Sequence, residues 1–221
     1  MGIGHALALQ VAMGGSLSER YTVERILSGK DVLYWRVVLF DSPHYQARLH
    51  LFPNAAETYI HNHRSNFLSM SMHGMYIHTT WQVDQKGDGS YFESLRDEEG
   101  NISQKERKKG TLIASDQFYH TANHVYFLES QRCHKVQVPA GGNATVLTLF
   151  VRDKTLANPT TKVLELENAP EEEVDFFQDL EMTGADKTLV QRKMEDMLRS
   201  TARDLLGGDP SSVLDGIMEK K

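Results

Sequence analysis

Between residues 31 and 153 the chain is a succession of short strand-like runs separated by turn residues, and this pattern restricts the fold more than any other feature. Val32–Phe40 is rich in β-branched and aromatic residues, the types that fit a pleated surface. Tyr45–Phe52 alternates and stops before Pro53. Phe67–His73 and Met75–Val83 flank Gly74, which marks a tight reversal. Lys86-Gly87-Asp88-Gly89 turns the chain into Ser90–Leu95, and Glu99-Gly100-Asn101 turns it again. Thr111–Tyr119, Val125–Ser130, His134–Val138 and Thr145–Arg152 complete the run, the last after Gly141-Gly142-Asn143. Many short strands at regular spacing predict an all-β sandwich or barrel.

The flanks read as helical. Ser16 with Glu19 fits a capping box and Gly29 fits a helix stop, which predicts a helix over Leu17–Ser28 after a loosely helical start. Beyond the strands, Pro170 followed by Glu171-Glu172-Glu173 suits a helix N-terminus. Leu189, Val190, Met194, Met197, Leu198, Ala202 and Leu205 recur at helical spacing, and Gly207-Gly208 ends the pattern. A last short helix is expected over Pro210–Met218. The chain therefore divides into an N-terminal segment (1–30), a barrel (31–153) and a helical extension (154–221).

Composition narrows the function classes. Of 221 residues, 40% are hydrophobic and 24% charged, which suits a globular chain and argues against wholesale disorder. The formal net charge of −6 disfavours a nucleic-acid partner, since phosphate backbones repel an acidic protein. The one basic run, Lys105–Lys109, follows Asp97-Glu98-Glu99 and reads as a solvated hairpin loop. A single cysteine, Cys133, rules out an internal disulfide and points to a reducing, cytoplasmic setting. The apolar run 5–13 lacks a basic leader and is far short of a membrane span, so no membrane association is expected.

Ten histidines call for explanation. His61 and His63 are separated by one residue, and on an extended strand such residues project from one face. Two adjacent neutral imidazoles can chelate one divalent metal. His134 lies on a later strand and offers a third.

On these residues the sequence resembles the cupin superfamily. Its first motif is H-x-H, three or four residues, Glu, six residues, Gly. Here that reads His61-Asn62-His63, three residues, Phe67 in place of the Glu, six residues, then Gly74. In the second motif His134 matches, but Gln131, Glu129 and Asn123 stand where Gly, Pro and Gly would be, and Val138 replaces an Asn. The stretch HNHRSNFLSMSMHG also looks like small bacterial cupins with H-x-H-R and a following Phe. The resemblance covers about 35–152, and it implies an all-β, cupin-type double-stranded β-helix (jelly roll) between a short N-terminal helix and a C-terminal helical extension. It implies metal ligands at His61, His63 and His134, with His120 as an alternative to His134. Without the Glu, the site resembles the three-His iron centre of thiol dioxygenases. Fe(II) is preferred on that ground, and Zn, Ni, Mn or Cu remain compatible.

Other residues qualify for supporting roles. Tyr76, His78 and Thr80 share a face on the strand after Gly74, so Tyr76 and His78 are candidate catalytic or positioning groups. Arg48 shares a face with His50; it either clamps a substrate carboxylate or sits in a surface salt bridge. Cys133 faces away from His134 and reads as an inert thiol. The functional expectation is a metal-dependent dioxygenase acting on a small molecule such as a thiol or amino-acid derivative, with dioxygen as co-substrate. A metal-dependent lyase or isomerase and a non-catalytic binding module remain open. Two copies can pair through open sheet edges and the amphipathic tail.

Overall fold

A computed structural model describes residues 3–17, 21–28, 31–97, 102–141, 145–155, 158, 160–167 and 179–208. In chain order the elements are α1 (Ile3–Ala12), β1 (Val23–Ser28), β2 (Asp31–Asp41), β3 (Tyr45–Phe52), β4 (Ile60–His61), β5 (Phe67–His73) and β6 (Tyr76–Asp84). Then come β7 (Ser90–Arg96), β8 (Glu106–Lys109), β9 (Thr111–His120), β10 (Val125–Leu128), β11 (Cys133–Gln137) and β12 (Val146–Asp153). The chain continues through β13 (Thr161–Leu166), β14 (Asp179–Glu181) and α2 (Gly184–Leu206).

The strands form two seven-stranded sheets, β10-β5-β12-β3-β2-β1-β14 and β8-β7-β13-β4-β11-β6-β9. Eight of these strands carry the topology. One sheet holds β10-β5-β12-β3 and the other β4-β11-β6-β9, so early and late strands interleave in both. That order is the double-stranded β-helix, or jelly roll, expected from the sequence. The hairpin of β7 and β8 is inserted between β6 and β9 and joins the second sheet through β13.

The first sheet is apolar on its outer side. Val37, Leu49, Leu51, Met70, Met72, Leu147 and Leu149 pack there against Ala8 and Val11 of α1 and Val190, Met194, Met197, Leu198 and Ala202 of α2. Two buried hydrogen bonds fix α2 in place: Thr201 Oγ1 donates to the Met72 carbonyl at 2.6 Å, and the Leu17 amide donates to Glu195 Oε1 at 2.6 Å. Gly207, at φ 68°, closes α2 in the left-handed conformation. The helical stripe read from the sequence is the buried face of α2, except that Leu189 and Leu205 stay exposed. No helix among the described residues is long and apolar enough to cross a membrane.

Three local expectations are corrected. The N-terminal helix lies at Ile3–Ala12, not Leu17–Ser28. Val23–Ser28 is instead a strand paired with β2 and β14, with Val23 and Ile26 buried. The tertiary pairing overrides the local capping pattern, whose Glu19 lies outside the described residues. The basic run is mostly a strand rather than a loop, β8 pairing with β7. Its charges are answered by acids: Lys105 on Glu165 at 2.5 Å, Arg107 on Glu167, and Lys108 on Glu106. The segment after residue 154 also supplies β13 and β14, which the helical reading overlooked. The expected helices beginning at Pro170 and covering Pro210–Met218 lie outside the described residues.

Gly74 makes the reversal between β5 and β6 possible. Its φ is 79°, and a Cβ there would lie 2.4 Å from the Thr145 carbonyl oxygen. Both the left-handed backbone and the close approach require glycine. Gly74→Ala is expected to lower the free energy of unfolding by about 1–3 kcal/mol, measured by urea denaturation. A midpoint equal to wild type would contradict this account of the turn.

Candidate metal centre

The site begins with a very short strand. In β4, His61 pairs with His134 of β11 on one side and Val163 of β13 on the other. The strand ends at His61, so a regular extended strand does not carry the H-x-H pair. Asn62 takes over the pairing instead. Its amide donates to the Lys162 carbonyl at 3.1 Å, and its side-chain Oδ1 accepts from the Lys162 amide at 2.6 Å. His63 then donates its amide to the Ser130 carbonyl at 3.2 Å. With Asn62 clamped to β13, His61 and His63 turn together toward His134.

The three imidazoles meet. One ring nitrogen from each of His61, His63 and His134 lies within 4.8 Å of the others. Nε2 of His63 is 2.8 Å from Nε2 of His134. Burial lowers the pKa of all three, well below the usual value for His63 and His134, so they are neutral at neutral pH. Their mutual proximity lowers His63 and His134 further.

One neighbouring group fixes the free nitrogen of His61, and a chain of imidazoles bears on that of His134. His61 Nδ1 is 2.9 Å from the Tyr59 carbonyl, which only accepts, so Nδ1 carries the proton and Nε2 keeps its lone pair. His134 Nδ1 is 2.9 Å from His78 Nε2, and His78 Nδ1 is 3.4 Å from His120 Nε2. If His134 donates through Nδ1, its Nε2 lone pair faces the cluster, and the proton pattern continues outward through His78 to His120. Metal-binding histidines are held this way, by a second hydrogen bond that fixes ring and tautomer. At 2.8 Å the Nε2 atoms of His63 and His134 share one proton, and a divalent cation held by the three imidazoles would take that proton's place. The donor set therefore fits a metal ion.

The structure brings together His61, His63 and His134, and it sets His120 two steps away, behind His78. His120 thus does not replace His134 in the cluster. Tyr76, one step from His78 along β6, stacks on His120 at 5.1 Å and lines the narrow inner end of the cavity with Ser69 and Tyr126. Burial raises its phenol pKa well above the usual value, so it stays protonated. Phe67, at the position of the family's Glu, sets its ring edge-on to His63 at 4.5 Å and packs on Phe150 at 4.5 Å. An apolar wall stands where a fourth ligand would be. Cys133 points away into an apolar cluster with Ile60, Tyr91, Leu112 and Leu164, and burial pushes its thiol up to about 11.

Arg48 is not in a surface salt bridge. It lines a cleft of about 270 Å³ that also exposes His61 and His63. Its Nε is buried without a hydrogen-bond partner. Arg36, Arg152, Tyr34 and Phe150 line the same cleft and were not singled out in the sequence. The available signal is two-residue alternation, which puts Phe150 and Arg152 on one face of β12 and Arg48 and His50 on one face of β3.

A jelly roll with three imidazoles meeting between its sheets has the arrangement of a cupin. No protein-family model matches the sequence, and no curated protein matches it. Similar solved structures include an RmlC-like cupin from Shewanella frigidimarina, 18% identical over 63% of this chain and 89% of that one, with a TM-score of 0.37. Another is a cupin domain from Bordetella pertussis, 16% identical over 55% of this chain and 94% of its own, with a TM-score of 0.31. A third is the hydroquinone 1,2-dioxygenase of Sphingomonas sp., solved with 4-hydroxybenzoate, 8% identical over 51% of this chain and 61% of that one, with a TM-score of 0.34.

Two outcomes follow from the site's geometry. His78→Leu removes the partner of His134 Nδ1 and is expected to weaken metal binding about 10–100-fold, read by competition with a chelating dye. Unchanged affinity would remove His78 from the site. The second concerns pH. The folded pKa of His78 is lowered to about 3 and that of His120 to about 4, from 6.5, mainly by burial. Below 6.5 the unfolded chain takes up protons that these folded side chains refuse. Stability of the metal-free protein is therefore level above pH 7 and falls as pH drops from 6.5 to 5, by up to about 1.4 kcal/mol per pH unit for each histidine. Urea melts at three pH values test this, and a flat profile would contradict it.

Proposed function

We propose that this chain is a metal-dependent oxygenase in which His61, His63 and His134 hold one divalent ion, Fe(II) in preference to Zn, Ni or Mn. The observation that carries the reading is a set of three neutral imidazoles with Phe67, not a carboxylate, beside them. Three neutral ligands leave the ion's charge undiminished and leave coordination positions open. When bound, the ion supplies a meeting place where an organic substrate and dioxygen exchange electrons.

The chain's own residues do the rest. His78 holds the His134 ring in place through Nδ1. Phe67 and Phe150 exclude water from one side of the cluster, which strengthens polar interactions inside the cleft. Tyr76, protonated and buried, bounds the inner end and offers a neutral hydroxyl for orienting the substrate. Arg48 faces the cleft and binds an acidic group of the substrate. A small thiol or amino-acid derivative fits this set. For a thiolate, both oxygen atoms of dioxygen end on sulfur, giving a sulfinate, and the sulfur supplies all four electrons, so no separate reductant is consumed.

The test is metal content by mass spectrometry on protein purified without chelators or a His tag, beside a His61→Ala/His63→Ala double variant. Near-stoichiometric iron that the variant loses, followed by oxygen uptake with a panel of small thiols, is the expected result. Turnover that continues without oxygen would select the lyase or isomerase reading. Protein that takes up no metal when iron is supplied anaerobically would overturn the proposal.

A further inference from the structure

The protein carries a net charge of −6, yet among the described residues the cleft beside the histidines collects five arginines, 36, 48, 64, 96 and 152, against a single lining acid, Asp97. Three of the five come from adjacent strands of one sheet. Arg36 on β2 stands opposite His50 of β3, and Arg152 on β12 stands opposite Gln46 of β3. Arg48 lies between His50 and Gln46, so the other two flank it diagonally, at a separation of about 7–8 Å that long side chains span.

Their partners are few. Arg36 is bonded to Glu24. Arg48 and Arg152 form no ion pair among the described residues, and the Nε of each is buried without a hydrogen-bond partner. Burial, with Arg36 and Arg152 adjacent, brings the Arg48 pKa down to about 9, and burial, then the nearby Arg64 and Arg36, lowers that of Arg152. Burying unpaired like charges together costs free energy that only an anion between them recovers. Phe150, opposite Arg48 on β12 and 5.8 Å from His63 ring to ring, gives the same cleft an apolar wall.

We infer that the cleft is built for a small organic oxyanion, a carboxylate or a phosphate monoester, whose charged end is held by Arg48 and Arg152 while the rest of the molecule reaches toward His61, His63 and His134. The direction of that reach rests on the proposed metal centre; the anion site does not. A cleft of about 270 Å³ falls just below the range of about 300–1,000 Å³ usual for drug-sized ligands, so the molecule is small. The planar guanidinium fork pairs with two oxygens at once, which a neutral or cationic substrate cannot satisfy. Neutral molecules of the same size are therefore rejected.

The experiment is calorimetric titration of chelator-treated protein with malonate and with inorganic phosphate at low chloride and pH 7.5. The proteins compared are wild type, His61→Ala/His63→Ala, Arg48→Met, Arg152→Met and Arg48→Lys. Saturable binding of at least one probe to wild type, kept in the double histidine variant, is expected. Arg48→Met and Arg152→Met should each weaken it tenfold or more, and Arg48→Lys, which keeps the charge but loses the fork, by less. Preference for malonate assigns a carboxylate substrate and preference for phosphate a phosphate ester. Should Arg48→Met not fold, Arg152→Met and Arg48→Lys carry the comparison. Neither probe binding wild type, or equal binding to the arginine variants, overturns the inference. So does binding that disappears with the histidines, because the anion would then sit on a metal. Arginine-dependent binding by protein that takes up no metal would leave the inference standing and sink the oxygenase reading.

Discussion

The site depends on the backbone pairing of His61 with His134. A two-residue strand is held between β11 and β13, and the pairing puts one histidine from each half of the jelly roll side by side. His63 follows because Asn62 spends its side chain and amide on Lys162 rather than on a regular ladder. The candidate metal site and the fold thus share a few hydrogen bonds. The same arrangement covers His134 fully and His61 and His63 in part, and that burial keeps the imidazoles neutral at neutral pH.

The first sheet is inverted relative to a common antiparallel sheet. Its outer face is apolar because α1 and α2 cover it, and its inner face carries Arg36, Arg48, His50 and Arg152 because that face lines the cleft. The alternation of apolar and polar residues is as regular as in a sheet with one wet side, but the wet side is interior. Charge that looks like solvent-facing polarity therefore concentrates in an enclosed space. That concentration is what gives the cleft its chemical character.

Much of this was legible in the sequence. Tyr45–Phe52 and Phe67–His73 end where their alternation ends, because turn residues flank both. The α2 stripe was legible through its period of 3.6. The three histidines could be named because H-x-H and a distant strand histidine match a known pattern, although no rule of spacing places His134 opposite His61. That requires the long-range order of strands. β4 is too short to show any period. β1 was hidden by a local capping signature, and its strand character comes from β2 and β14. Arg36 and Arg152 were passed over because alternation reveals two faces of a strand without saying which is inside.

The two helices that cover the outer sheet come from opposite ends of the chain, α1 from residues 3–12 and α2 from residues 184–206. Every candidate metal nitrogen, by contrast, lies between residues 61 and 134. A clone trimmed to the strand-rich middle would retain all the chemistry and lose its back wall. Leu49, Leu51, Leu147 and Leu149 would face water as one continuous greasy surface, and such a surface invites aggregation. The shortest segment that holds the candidate site and the shortest that covers its own apolar surface are different lengths of chain.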